Sequence, residues 1–399
     1  MKALVFDISP AKILFTKGVG PRFPGLYYSK LSPVSLKTFP DRSLPGPRFV
    51  RVRPKLAGIC GSDIALFFLK ASIRISMAAL PPFPKLFMGH EMLGTVVETG
   101  NGVKDFRMGD RVAMHRYTPC CATLELDPPC TPCREGKFPL CQVFPAKQMP
   151  PDLGAAFSDI FVAHEKQLLK VPDALSDDDA VLIEPAAVAL HTVMRRLPRP
   201  GENILAIGAG TIGLNVIQIA KAVCPECHVF VIEPFASKRE MALRLGAEPL
   251  PDGNTYDAVG KVTGASVFHG HLKNSTLLGG FDCVYDSVGA SSTMHDSLRW
   301  LAPHGDYVMV GTQLAPVSFD ITPMWNQELS MIGVNAHGME NVDGRQVSSF
   351  ELAMEMAADG RIRFDGFITH RFPLKDYRDA FHMIQKHPES VVKVILEMK

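Results

Sequence analysis

From Asn203 to Glu233 the chain runs through an apolar β-like stretch, NILAI, the hexapeptide GAGTIG, a helical stretch, LNVIQIAKAV, and a second β-like stretch closing on HVFVIE. Glycines in this context constrain the fold strongly, because each answers a different steric demand. Gly208 permits the tight turn, Gly210 lets a pyrophosphate approach the backbone, and Gly213 lets the helix pack on the strand. The helix opening at Thr211 and Ile212 presents free N–H groups and the positive end of its dipole to an anion. Glu233 stands 20 residues past Gly213 and closes the second strand, where a carboxylate binds both ribose hydroxyls and repels a 2′-phosphate. This favours NAD over NADP, although Lys238, a further candidate for cofactor contact, and Arg239 lie close enough to screen a phosphate.

The same alternation of strands and helices continues to about Gly311, through SKREMALRLGA, FDCVYDSVG and GDYVMVGT, with ELSMIGV as a candidate edge. Such alternation predicts a parallel, doubly wound sheet. Before it, FVRVRP, LGTVVETG and GDRVAM are short Val-rich strands bounded by Gly, Pro or Asp, the pattern of an antiparallel β domain. The chain of 399 residues, 46% hydrophobic, is long enough for two such cores. We therefore expect an α/β protein with a mostly-β domain at residues 1–185 and a dinucleotide domain at 186–325. Residues 326–399 should return to the first domain, with helices at 350–358 and 375–386 and a last strand, VVKVILEM. Two stretches stand outside this plan. Residues 18–47, rich in Gly, Pro and Ser, read as a surface excursion. Residues 65–88 carry Leu66, Phe67, Phe68, Leu69, Ile73, Ile75, Met77, Leu80, Phe83 and Phe87, and read either as a helix capping the core or as a wall of a substrate cleft.

With 42 basic and 41 acidic residues and no basic run, the chain has no footprint for nucleic acid. No stretch approaches the length of a membrane span, and MKALVFDISPAKILF lacks the plan of a signal peptide, so a cytoplasmic location is expected. In a reducing compartment nine cysteines favour metal ligation or packing over disulfides. Cys130, Cys133 and Cys141 form C-x2-C-x7-C, three thiolates for one tetrahedral zinc. Asp127 is the expected fourth donor, with Cys120 and Cys121 competing. Cys224 and Cys227 form a lone C-x2-C and read as structural. A second set joins Cys60 of GICGSD, His90 and Glu91 of GHE, and Glu184 of IEP. Mixed Cys, His and carboxylate donors suit a catalytic zinc that keeps one position open.

The stretch G89-H90-E91-M92-L93-G94 with Gly100, Val103 and G109-D110-R111-V112, together with GICGSD, the cysteine cluster, IEP and GAGTIG, resembles the zinc-containing medium-chain dehydrogenase/reductase family, in its sorbitol and threonine dehydrogenase-like branch. The resemblance covers Phe49 to the end, apart from the second inserted stretch. It implies a GroES-like catalytic domain and a Rossmann domain, with Cys60 and His90 as ligands of catalytic zinc. Glu184 or Glu91 would complete that set, Asp63 would orient His90, and Ser62 would relay the alcohol proton. The implied reaction oxidises a secondary alcohol or polyol: the metal lowers the hydroxyl pKa, Ser62 carries the proton away, and a hydride passes to NAD. A homodimer or homotetramer is implied as well. The alternatives are a zinc-independent quinone or enoyl reductase on the same fold, and a nucleotide-binding protein without turnover.

Overall fold

The computed structural model describes residues 1–41, 43–79, 85–116, 119–143, 150 and 152–398. Two compact units are present. One comprises Met1–Glu184, Gln346–Ala358 and Arg363–Lys399, and the other Pro185–Arg345 and Asp359–Ile362.

The first unit opens with β1 (Lys2–Asp7), α1 (Pro10–Val19) and β2 (Val34–Thr38). Ser9 caps α1 by accepting the Lys12 N–H, and Pro10 takes the first helical position, where a missing N–H costs nothing. Then follow β3 (Phe49–Gly58), α2 (Gly61–Phe67), β4 (Lys85–Phe87), β5 (Glu91–Thr99), β6 (Arg111–Met114), α3 (Thr131–Arg134), β7 (Phe161–His164), β8 (Leu168–Lys170) and α4 (Asp177–Val181). In β3 the side chains alternate as the pleat requires: Val50 and Val52 are buried while Arg53 faces out.

Residues 18–47 depart from the surface excursion expected of them. Tyr27 and Val34 are buried, β2 pairs with β1, and the Tyr27 ring packs edge-on against Phe68 at 5.3 Å. Residues 65–69 cap the core, as one of the two readings had it, with Phe67, Phe68 and Leu69 buried in the main cluster. Ile73 is exposed, and Leu80 and Phe83 lie outside the described residues.

The second unit is entered through α5 (Ile183–Arg195) and contains β9 (Asn203–Ile207), α6 (Thr211–Val223), β10 (His228–Ile232), α7 (Ala236–Arg244), β11 (Glu248–Pro249), α8 (Thr255–Thr263), β12 (Ser266–His269) and β13 (Ser275–Leu278). It goes on through β14 (Phe281–Asp286), α9 (Ser291–Trp300), β15 (Leu301–Met309), α10 (Thr322–Asn326), β16 (Ser330–Gly333) and β17 (Met339–Val342). Its six-stranded sheet has the order β11-β10-β9-β14-β15-β16, parallel throughout. The order reverses at β9, the strand that feeds GAGTIG, and such switch points are where open α/β sheets bind ligands. Residues 326–345 belong to this unit and not to the first, contrary to the expected boundary, because β16 completes the parallel sheet beside β15.

The chain regains the first unit through β18 (Arg345–Ser348), α11 (Ser349–Ala358), β19 (Ile368–Pro373), α12 (Tyr377–Lys386) and β20 (Lys393–Glu397). The order of its main sheet is β19-β20-β3-β5-β6-β8, with β7 also on β3. β20 pairs antiparallel with β3 next to Gly58, which brings the end of the chain beside the start of the Cys60 loop.

Candidate metal and cofactor sites

Cys60 is the N-cap of α2, so Ser62 and Asp63 fall in the first turn of that helix. Asp63 is buried, and its carboxylate accepts N–H bonds from Cys60 at 3.0 Å and Gly89 at 3.2 Å. It thereby ties the Cys60 loop to the strand end that carries His90. Gly89 has a φ of +88°, and a Cβ there would stand 2.5 Å from the Phe157 ring, so glycine alone lets the chain turn into His90. The Cys60, His90 and Glu91 donor atoms lie within 4.8 Å of one another. Burial alone would lower the His90 pKa, but the Cys60 thiolate and the charges of Asp63 and Glu184 carry it well above the ordinary value. Excess negative charge around an imidazole is what a cation site supplies before its cation is added.

Glu91 and Glu184 are both buried. Glu91 occupies space that exists only because position 58 is glycine, where a Cβ would come within 2.0 Å of its Oε2. Both Glu91 oxygens accept hydrogen bonds from the buried Lys393 ammonium at 2.7 Å, and Lys393 also donates to the Ile59 carbonyl at 3.2 Å. Sequence reasoning missed Lys393, although a lysine inside the apolar run VVKVILEM was a visible signal. Glu184, in the first turn of α5, stands outside the group formed by Cys60, His90 and Glu91, yet is linked to it electrostatically. Burial drives its carboxyl up to about 7, against the charges of His90 and Lys393.

The second donor set consists of four sulfurs, Cys121, Cys130, Cys133 and Cys141, within 4.8 Å of one another. Cys141 Sγ lies 3.8 Å from that of Cys121 and 3.9 Å from that of Cys130. A tetrahedron of sulfurs with Zn–S bonds of about 2.3 Å has edges of about 3.8 Å, so the set fits zinc. The fourth member is Cys121 and not the expected Asp127. Asp127 is exposed, whereas the turn closed by Leu124 N–H on Cys120 O and Leu126 N–H on Cys121 O folds Cys121 back over Cys130, whose N–H points at its sulfur at 3.4 Å. Cys120 is buried beside the set and engages Thr123. Hydrogen bonding by the Gln142 backbone, joined by Cys133, brings the Cys130 thiol down to about 6, poised as thiolate near neutrality. Cys224 and Cys227 are buried at the end of α6, in keeping with a packing role.

In the second unit Gly208 holds a φ of +86°, and a Cβ on Gly213 would stand 1.8 Å from the Gly208 carbonyl. A Cβ on Gly210, the N-cap of α6, would meet nothing within 4 Å, which leaves the backbone ahead of Thr211 and Ile212 open to a phosphate. Glu233 accepts the Ala209 N–H at 2.8 Å and the Phe235 N–H at 3.0 Å, locking the glycine turn to the end of β10. Arg239 donates to the Glu233 and Pro234 carbonyls at 2.7 and 3.0 Å, and the Lys238 ammonium lies 5.1 Å from the centre of the Phe235 ring.

The second unit thus offers an open glycine turn locked to Glu233, and the first unit two groups of donors that could hold a metal ion. Residues 46–173 match the family described as alcohol dehydrogenase GroES-like domain, and residues 211–357 that of zinc-binding dehydrogenase. The chain is 28% identical to a D-xylulose reductase of Scheffersomyces stipitis over 385 residues, 94% of this chain and 98% of that one. It is 28% identical to a sorbitol dehydrogenase of Arabidopsis thaliana over 364 residues, covering 88% and 89%. The fold matches the crystal structure of 2R,3R-butanediol dehydrogenase from Bacillus subtilis with a TM-score of 0.71 at 23% identity, covering 91% and 96%. The chain belongs to the zinc-containing medium-chain dehydrogenase/reductase family of alcohol dehydrogenases. It is thus an oxidoreductase of small-molecule alcohols.

Proposed function

We propose that the chain oxidises a secondary hydroxyl of a polyol or related alcohol to the carbonyl, with NAD as acceptor. The observation that carries this reading is the group of Cys60, His90 and Glu91 donors, all in one unit, in a chain whose other unit offers the open glycine turn and Glu233. Zinc held by Cys60, His90 and either Glu91 or Glu184 would supply the Lewis acidity that lowers the pKa of an alcohol hydroxyl.

The protein's own groups do the rest. Asp63 holds the Cys60 and Gly89 amides so that thiolate and imidazole keep their relative positions. Lys393 offsets the charge of Glu91. Ser62, partly exposed in the first turn of α2, takes the hydroxyl proton outward. Glu233 keeps acceptor capacity for ribose hydroxyls beyond its two backbone bonds, and a 2′-phosphate would meet its charge. Arg239 is occupied by carbonyls, which supports NAD over NADP. The two relatives, named for xylulose reduction and sorbitol oxidation, support a polyol-like substrate.

Nine free cysteines favour a reducing, cytoplasmic setting, and no helix among the described residues is long and apolar enough to cross a membrane. Among the described residues β16 is the last strand of its sheet, an edge on which a homodimer or homotetramer can form. A zinc-independent reductase on this fold is disfavoured by the Cys60, His90 and Glu91 grouping. The test is NADH formation by the purified protein over short aliphatic alcohols, polyols and amino alcohols, alongside elemental analysis for zinc. Active protein without zinc, or zinc protein inert to every alcohol, would overturn the reading.

A further inference from the structure

Helix α2 carries Cys60 at its start, and its other end is unusual. The Lys70 N–H reaches back to the Ala65 carbonyl at 2.9 Å and the Leu69 N–H to that of Leu66 at 3.2 Å, the paired bonds of a Schellman ending. The residue that must be left-handed in this ending is ordinarily glycine. Here it is Leu69, with a φ of +52°, and its side chain is buried in the core. A left-handed leucine is strained, so something outside the helix must hold it there. Lys17 of α1 does so: its ammonium donates to the Leu69 carbonyl at 2.8 Å and to the Ala71 carbonyl. The aromatic rings behind α1 brace the same helix end. Tyr27 packs on Phe68, and Tyr28 on Phe67 at 5.5 Å, while the Tyr28 hydroxyl donates to Gln385 of α12 at 2.7 Å.

The chain leaving this turn goes on to β4, which β1 of the same N-terminal segment pairs in register, Val5 with Phe87. The Met88 N–H then bonds the Leu4 carbonyl at 3.1 Å, directly before Gly89 and His90. The stretch between the two metal donors is therefore gripped at both ends by residues that precede β3.

We propose that Lys17 is a positioning residue for the catalytic centre: by holding the Leu69 and Ala71 carbonyls it fixes the left-handed turn that ends α2, and with it the seating of Cys60 and Ser62 and the path toward His90. The inference rests on the functional reading above and deepens it. Lys17→Met should lower kcat/KM for the best alcohol roughly tenfold, the equivalent of one charge-assisted hydrogen bond, while the KM for NAD and the zinc content stay unchanged. Lys17→Arg, which keeps a charged donor, should restore most of the loss. In a Leu69→Gly background, where the turn carries no strain, Lys17→Met should cost far less than in the parent.

Hydrogen exchange reads the same proposal without turnover. The Lys70 amide should lose protection in Lys17→Met and in Lys17→Gln, the variant to use if the first does not fold. Wild-type protein without alcohol activity would fault the functional reading and leave this exchange test standing. The positioning role is overturned if Lys17→Met lowers the melting temperature without changing kcat/KM or Lys70 protection. An equal loss in the Leu69→Gly background also overturns it.

Discussion

The Lys393 ammonium lies 2.7 Å from both carboxylate oxygens of Glu91, and both side chains are buried. A buried pair adds little net stability, but stripping one member leaves an uncompensated charge at a cost of about 3–5 kcal/mol. Lys393→Met should therefore destabilise the protein by about that amount in urea unfolding, and the double variant with Glu91→Gln should recover most of it. A double variant destabilised by the sum of the losses in Lys393→Met and Glu91→Gln would show that the pair is not coupled.

Removing Cys121 tests the four-sulfur centre directly. Cys121→Ser should cost one equivalent of zinc and lower the melting temperature, because three thiolates hold the ion poorly, whereas Asp127→Ala should retain both zinc ions. The reverse pattern would return the fourth position to the carboxylate.

The pH dependence of the metal-free protein follows from Glu184. Its pKa in the folded protein, raised by burial to about 7, exceeds the ordinary 4.5, so the fold favours the protonated acid. That contribution is complete below about 4.5 and is lost as pH rises through about 7. Chelator-treated protein should melt at progressively lower temperature across this window, and Glu184→Gln should flatten the decline. Zinc, which takes the carboxylate form, should add most at the upper end. An identical slope in the variant would remove Glu184 as its source.

Inside the catalytic group the roles separate by readout. Cys60→Ala or His90→Ala should abolish turnover and release the more easily chelated zinc while NAD still binds. Ser62→Ala should keep zinc and cofactor and lower kcat by about 10²-fold or more, the usual worth of a positioned proton carrier. Metal loss from Ser62→Ala equal to that from Cys60→Ala would mean the serine is not a relay.

Glu233→Ala should weaken NAD binding and narrow the preference over NADP, since it removes both the ribose acceptor and the repulsion of a phosphate. Because Glu233 also holds the Ala209 and Phe235 amides, Glu233→Gln, which keeps one carbonyl acceptor, should bind NAD better than Glu233→Ala. Cofactor titration by fluorescence measures all three proteins, and an unchanged preference would shift the choice to Lys238 or Arg239.

The features legible in the sequence are those whose chemistry is local. GAGTIG, GHE and C-x2-C carry their steric and donor demands within a few residues, and the parallel sheet announces itself by alternation. Cys121 was harder to place, because its membership depends on how tightly residues 120–126 turn, and spacing alone did not separate it from Asp127. The burial of Tyr27 and Val34 was hidden in a Gly- and Pro-rich stretch because their partners, Phe68 and β1, are distant in the chain. β16 lies within ELSMIGV, the stretch expected as a candidate edge, and pairs with β15 as that expectation required; the boundary expected at 325 fell short of it, since residues up to 345 stay with this unit.

The placement of β20 beside β3 has a consequence for the order of events during synthesis. Lys393 follows Glu91 by 302 residues, so at translation rates of about 5–20 residues per second the nascent chain carries Glu91 for about 15–60 s before its counter-charge exists. All strands of the six-stranded parallel sheet are made within that interval, so the dinucleotide unit can fold while the metal-binding unit still lacks β20. The charge balance at Glu91 is therefore completed only after every strand of the dinucleotide unit's six-stranded sheet has been synthesised.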